Sequence, residues 1–389
     1  MTPLGGLDPS WFRTHLASEL LPLWLERAPT PSGLFRCRFD SRWKPLGDDS
    51  GTLVSQSRLI YNFCRGHELT GEPRYLEAVE SGASFLADRF RDRERGGWFW
   101  SVKPDGSVID DKKDSYGHAF AIFGLAHAAA TTGREDFAAA AEEVWEVIRT
   151  RFADGRGGIW RRTSRDFVPR EDHRTQNPIM HLFEAMLALG DVPGREGAHA
   201  DALDVARFVL GRLVRPGDGS LPELYDEEWR ELPADRRGWI NIGHQFEWAY
   251  LLSAAAERGL GDELLEPAGR LLSAGLRLGL DTDEGGTFCR AAPDGSLLSR
   301  RKGWWEQCEM IRALLHFAAL RDRQDLLEPA AEAVRFVRER FLDEEVGGWF
   351  AKVGPDCAPD AQDKGGPFKV DYHNVGMCAE AIRLLTPED

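Results

Sequence analysis

The sequence predicts an all-α protein, built as a closed ring of six helical hairpins with short β-hairpins in the loops at one mouth. Three observations lead there. A glycine-centred turn signal recurs six times, roughly 62 residues apart. A charged amphipathic helical pattern precedes the turns. A second, more apolar helical pattern follows each of them.

The turn reads SGLFR at Ser32–Arg36, RGGWFW at Arg95–Trp100 and RGGIWR at Arg156–Arg161. It returns as DGSLPEL at Asp218–Leu224, EGGTFCR at Glu284–Arg290 and VGGWFAK at Val346–Lys352. Glycines followed by an aromatic or β-branched residue suit a tight turn running into a short strand. Amphipathic stretches precede five turns, at Glu77–Phe90, Ala138–Phe152, Ala200–Val214, Leu264–Leu278 and Pro329–Phe341. The second helices begin near Val54, Tyr116, Asn177, Asn241, Trp304 and Tyr372 and carry fewer charges, which makes them the buried set. A solenoid would show similar periodicity. The ring is favoured because the units stop at six and no polar capping repeat is evident. No linker or low-complexity tract divides the chain, so residues 1–389 read as one barrel domain; Gly354–Pro367 reads as a loop.

Composition narrows the function. The chain has 389 residues, 42% hydrophobic and 29% charged, a globular balance that excludes disorder. Its net charge of −15 argues against a nucleic-acid partner or an anionic membrane surface. No apolar run approaches a membrane span and no signal peptide is visible, so a cytoplasmic protein is expected. Six cysteines without a C-x-x-C pair read as reduced thiols.

Chemistry concentrates where the second helices begin. Those positions carry Gln56 and Arg58; Tyr116 and His118; Asn177, His181 and Glu184; Asn241, His244 and Glu247; Trp304, Trp305, Glu306 and Glu309; Tyr372, His373 and Asn374. In a ring they converge on one mouth, as convergent polar groups over an apolar floor do in small-molecule sites. Four of the ten histidines, His118, His181, His244 and His373, fall at these starts, and imidazole suits proton transfer near neutrality. The spacing H-x-x-E occurs at His181–Glu184 and His244–Glu247, which shares a helix face. It admits a metal pair, a carboxylate-oriented imidazole or an ordinary polar face. No D-x-D-x-D-G ligand run is present, and no resident metal or cofactor is expected. Thirteen tryptophans, with Trp305 at the mouth, favour a carbohydrate ligand. Phosphate-loop and nucleophile-elbow motifs are absent.

QSRLIY (Gln56–Tyr61), NPIMHLFEA (Asn177–Ala185), GHQFEWAYLL (Gly243–Leu252), KGWWEQCEM (Lys302–Met310) and KVDYHN (Lys369–Asn374) resemble, in order and over essentially the whole chain, the N-acylglucosamine 2-epimerase superfamily. The resemblance implies an (α/α)6 barrel and a cofactor-independent sugar isomerase or 2-epimerase. It implies His244 and His373 as the acid–base pair. Arg58, His181, Glu247, Glu309 and Trp305 become substrate or supporting residues, joined on the residue reading by Tyr116, His118 and Asn177. The family's W-W-P-Q-x-E is WWEQCE here, with Glu306 in the proline position, which puts the local helix start in question. The aromatic GHQFEW version and the presence of His181 disfavour disaccharides and N-acetyl sugars. That leaves a free aldose, D-mannose, isomerised to D-fructose, or epimerised to D-glucose.

An inverting glycoside hydrolase on the same barrel is the rival enzyme and would need two separated carboxylates. A non-catalytic sugar-binding module is the rival from another class. Lys112, Lys113, Arg170 and Arg174 are the basic residues available for an anionic sugar. A small-molecule sugar is the expected partner, on a monomer or homodimer.

Overall fold

The structure is a computed structural model and describes residues 7–360 and 362–386. Six inner helices, α3 (Leu53–Thr70), α5 (Ser115–Thr132), α7 (Asn177–Gly190), α9 (Ile242–Glu257), α11 (Trp304–Leu320) and α13 (Tyr372–Leu385), pack each against the next. The last contacts the first, so the ring closes. Outside it lie α4 (Pro73–Arg89), α6 (Glu135–Val147), α8 (Ala198–Arg212), α10 (Leu265–Gly279) and α12 (Leu327–Arg340). The sixth outer position is filled by the N-terminal helix. It runs as α1 (Pro9–Thr14), a π-helical stretch (His15–Leu20) and α2 (Leu21–Arg27), and α1 lies against α13. Glu77–Phe90 and the other amphipathic stretches thus form the outer ring, as their charge pattern requires.

Local chemistry sets the helix limits. Thr52 and Ser55 form a reciprocal capping box at the start of α3. The Asp114 side chain accepts from the Tyr116 N–H at the start of α5. Gly71 and Gly133 end these helices in the left-handed conformation, at φ 68° and 69°. Helix α11 begins at Trp304 with Glu306 in its first turn, so the missing proline leaves the helix start in place.

The strands do more than form hairpins. The strand before each of five inner helices pairs with the strand after the following turn. Gly51–Thr52 joins Ser101–Val102, Lys113–Asp114 joins Arg162–Thr163, and Arg174–Thr175 joins Leu224–Tyr225. The same holds for Ile240–Asn241 with Arg290–Ala291 and Lys302–Gly303 with Lys352–Val353. The predicted within-unit hairpins exist, as Ser101–Val102 with Val108–Asp110 and as single bridges such as Ala291 with Leu297. Phe39 and Gly365 exchange backbone hydrogen bonds of 3.3 and 3.2 Å and join the first turn region to the last.

Buried aromatics fill the space between the rings, among them Trp24, Trp98, Trp229, Trp248 and Trp349. No described helix is long and apolar enough to cross a membrane.

Candidate active site

The N-termini of the inner helices meet at one mouth, and the strand pairs that precede them hold those ends together. Arg58 comes from α3 and Tyr116 from α5. Asn177, His181 and Glu184 come from α7, His244 and Glu247 from α9, Trp305 and Glu309 from α11, and Tyr372 and His373 from α13.

Three imidazoles there are each held at Nδ1 by a buried carboxylate. The distances are 3.0 Å for His181–Glu184, 2.6 Å for His244–Glu223 and 2.7 Å for His373–Glu309. No described residue bonds the Nε2 of any of the three, so that nitrogen is available to a ligand. Glu223 is itself locked, accepting from Thr175 Oγ1 at 2.7 Å and Gln176 Nε2 at 2.9 Å. Burial opposes its charge, but His244, Gln176 and Thr175 outweigh burial and hold it below the ordinary glutamate range. Glu184 also accepts from the Tyr372 hydroxyl.

Trp305 is in ring contact with both His244 and His373, at centroid distances of 5.2 and 5.3 Å. Gly243 makes that position possible. A Cβ there would lie 2.5 Å from the Trp305 ring. Arg58 donates to the Tyr116 hydroxyl at 2.9 Å and to the Phe368 carbonyl at 2.7 Å. Its guanidinium lies over the rings of Phe120 and Tyr372, at 4.3 and 4.8 Å, and its buried Nε has no partner. Asn177 Oδ1 is likewise buried and unpartnered.

Glu247 is the most unusual group. It is 1% exposed, and neither carboxylate oxygen has a partner among the described residues. Burial, reinforced by Glu309 and Glu184, pushes its pKa well above the ordinary glutamate range. Burial also raises Glu309, to about 7. His373 is driven well below 6.5 by burial and by the charge of Arg58, and burial lowers His181 despite Glu184. The mouth therefore sets the Arg58 guanidinium beside two groups, the His373 imidazole and the Glu247 carboxyl, whose charged forms burial disfavours.

The donors His181, Glu184 and Glu247, and likewise Glu247, Glu309 and His373, lie within 4.8 Å of one another and could take a divalent ion. In each triad a ligating pair is already used to orient an imidazole, so a metal would compete with the bonds that position the histidines.

Some expected roles change. His118 is buried at the start of α5, yet it points away from the mouth. Its Nε2 accepts from the Trp98 N–H at 3.0 Å and its Nδ1 bonds the Asp114 carbonyl at 2.8 Å. Burial pushes it down to about 3, and it serves as a neutral pin for the second turn. Gln56 is the equivalent pin in the first unit, bonded to the Phe35 N–H and the Gly33 and Gly82 carbonyls. The His244–Glu247 dyad does not form, because Glu223, from the turn before α9, takes the His244 Nδ1. Lys113 and Arg174 are withdrawn into ion pairs with Asp92 and Asp154, at 2.9 and 3.1 Å. Glu223 was hidden because it stands inside the fourth turn signal, outside any helical register, and only the fold brings it to His244.

The family model N-acylglucosamine 2-epimerase (GlcNAc 2-epimerase) matches residues 33–377. A D-mannose isomerase of Pseudomonas cannabina pv. alisalensis is 30% identical over 78% of this chain and 76% of its own. A cellobiose 2-epimerase of Bacteroides fragilis is 24% identical over 95% and 97%. A crystal structure of D-mannose isomerase superposes with a TM-score of 0.88 at 23% identity, covering 97% of this chain and 98% of that one. The family match runs from the first glycine turn into α13 and takes in His181, His244 and His373. The chain belongs to the N-acylglucosamine 2-epimerase family.

Proposed function

We propose that the protein is a cofactor-independent sugar isomerase that converts D-mannose to D-fructose through a cis-enediolate, with His244 and His373 as its acid–base pair. The observation that carries this reading is the pair of imidazoles sharing the Trp305 ring, each with Nδ1 held by a carboxylate and Nε2 free. His244 assists opening of the pyranose ring. His373 removes the C2 proton of the open aldose, and the electron pair moves through C1 onto O1. Arg58, with the Glu247 carboxyl beside it, meets the developing oxyanion. Return of the proton to C1, with transfer of the O2 proton to O1, gives the ketose. Trp305 packs on the sugar, and His181, Tyr116 and Asn177 hold its hydroxyls.

Delivery of a proton to C2 from the opposite face would give the 2-epimer instead. Kinship with a cellobiose 2-epimerase keeps that second reading in view. The hydrolase reading is weaker, because inverting hydrolysis needs carboxyls roughly 6.5–9.5 Å apart to admit a water. Donor oxygens of Glu247 and Glu309 lie within 4.8 Å.

Proton NMR of D-mannose in D2O, with purified protein and EDTA, tests the proposal. Fructose carrying deuterium at C1 is expected. Glucose deuterated at C2 without a fructose lag would make the protein an epimerase, and unchanged mannose would overturn the substrate. Loss of turnover on adding EDTA would overturn the metal-free reaction.

A further inference from the structure

A second cavity, of about 780 Å³, opens at the far end of the barrel from the three histidines. Its innermost layer comes from mid-helix positions, Tyr61, Glu184, Tyr250, Arg312 and Gly376, and the next from Arg65 and His127. The proposed reaction uses none of them apart from Glu184, which holds His181.

Arg312 has no hydrogen-bond partner among the described residues. Its side chain is 10% exposed, its Nε is buried and unpartnered, and the nearest carboxylate oxygen, Glu309 Oε2, is 3.8 Å away. That distance is too long for a hydrogen bond. The guanidinium is stacked on Tyr250 at 3.8 Å, which fixes its plane and leaves its donor edge free. The bare backbone of Gly376 keeps space beside that edge. A Cβ there would lie 3.2 Å from an Arg312 terminal nitrogen and 3.6 Å from the Tyr61 hydroxyl. Arg65 has a second buried, unpartnered Nε, and its outer nitrogens bond His127 at 3.1 Å and Glu68 at 2.7 Å. A buried guanidinium without an acceptor is costly, and a planar donor fork is the natural receptor for a carboxylate or phosphate. At the rim the charges are already matched, Arg258 with Asp191 and Arg383 with Glu257, each at 2.8 Å. Leu16, Phe123, Leu187 and Leu251 supply apolar wall between.

We propose that this cavity binds a small organic anion, its carboxylate or phosphate group bridging Arg312 and Arg65 and its body lying against the apolar wall. It is a second ligand site, independent of which sugar the catalytic mouth accepts. Arg312 is also the closest cation to Glu309, the carboxylate that holds His373. An anion on Arg312 reduces the positive field there and links the two ends of the barrel.

The test titrates the full chain with inorganic phosphate or succinate against sodium chloride at equal ionic strength, following the thermal midpoint. A saturable rise of a few degrees is expected with at least one. Phosphate alone or succinate alone then assigns the anion class. The rise persists in Arg58→Gln, which alters the catalytic mouth. It disappears in Arg312→Lys, which keeps the charge and loses the fork. Should that variant not fold, Arg65→Gln is expected to weaken apparent binding at least tenfold. A rise with neither anion, a rise unchanged in Arg312→Lys or Arg65→Gln, or a rise lost in Arg58→Gln overturns the proposal.

Discussion

Glu309 shows how one carboxyl couples chemistry to stability. Its folded pKa, about 7, lies above the ordinary 4.5 because it is buried. The folded state therefore keeps a proton that the unfolded chain releases. Its contribution is most favourable below pH 4.5 and is lost as pH rises to about 7. The loss is on the order of 3 kcal/mol by linkage. Glu309→Gln removes the titration and keeps an oxygen facing His373 Nδ1. Urea unfolding at pH 5.5 and 8.5 is expected to show the wild type losing stability with pH and the variant losing less. The same variant lowers kcat about 10–100-fold, because an amide orients and polarises the imidazole less well than a carboxylate. At this scale the sequence was legible where a residue type carried its own chemistry. The four helix-start histidines, Arg58 and Trp305 stood out in that way, and the family resemblance set His244 and His373 apart from the other two. Glu223 could not, because a glutamate in a turn announces nothing until the chain brings it beside an imidazole.

Within each unit, one turn of the inner helix divides structural work from chemical work. Gln56, His118, Gln245 and Gln307 hold the backbone of the preceding glycine turn. Neighbouring positions, such as Arg58 and His244, face the mouth instead. Helical periodicity places all of them near the helix start and does not say which way each points, so His118 read as a substrate-binding residue. The two kinds of residue respond differently to substitution. His118→Ala leaves the buried Trp98 N–H without its partner and is expected to cost about 1–3 kcal/mol in urea unfolding. The surviving folded protein keeps its KM. Gly243→Ala is expected to do the reverse. The new methyl displaces Trp305 from both imidazoles, so kcat falls about 100-fold with a thermal midpoint within a few degrees of the wild type. The repeat also hides a charged staple. Asp92, Asp281 and Asp343 each cap backbone N–H groups in a turn and anchor the buried Lys113, Lys302 and Lys364. Separated by some twenty residues in sequence, these partners gave no local signal.

At the scale of the molecule, the count of six units was readable from the turn period, and closure was inferred from the absence of caps. What the period could not reveal is how the ring is locked. The Trp24 indole donates to Asp371 Oδ2 at 2.9 Å, and the Trp349 indole donates to His15 Nε2 at 2.8 Å. Asp371 precedes α13 in the left-handed conformation, at φ 56°, two residues before His373. The N-terminal helix thus reaches across the closure and sets the start of the last inner helix. Trp24→Phe keeps the buried ring and deletes the donor. It is expected to cost about 1–3 kcal/mol and to lower kcat more than it raises KM, read from steady-state kinetics beside unfolding curves. Helices stacked in an open row fray from their free ends, and backbone amides there exchange first with solvent. A row whose first helix is bonded to its last has no free end. Amide exchange in the six inner helices is therefore expected to proceed through a common opening of the whole ring, with similar protection from α3 to α13. In Trp24→Phe, protection is expected to fall first in α13 and then around the circle.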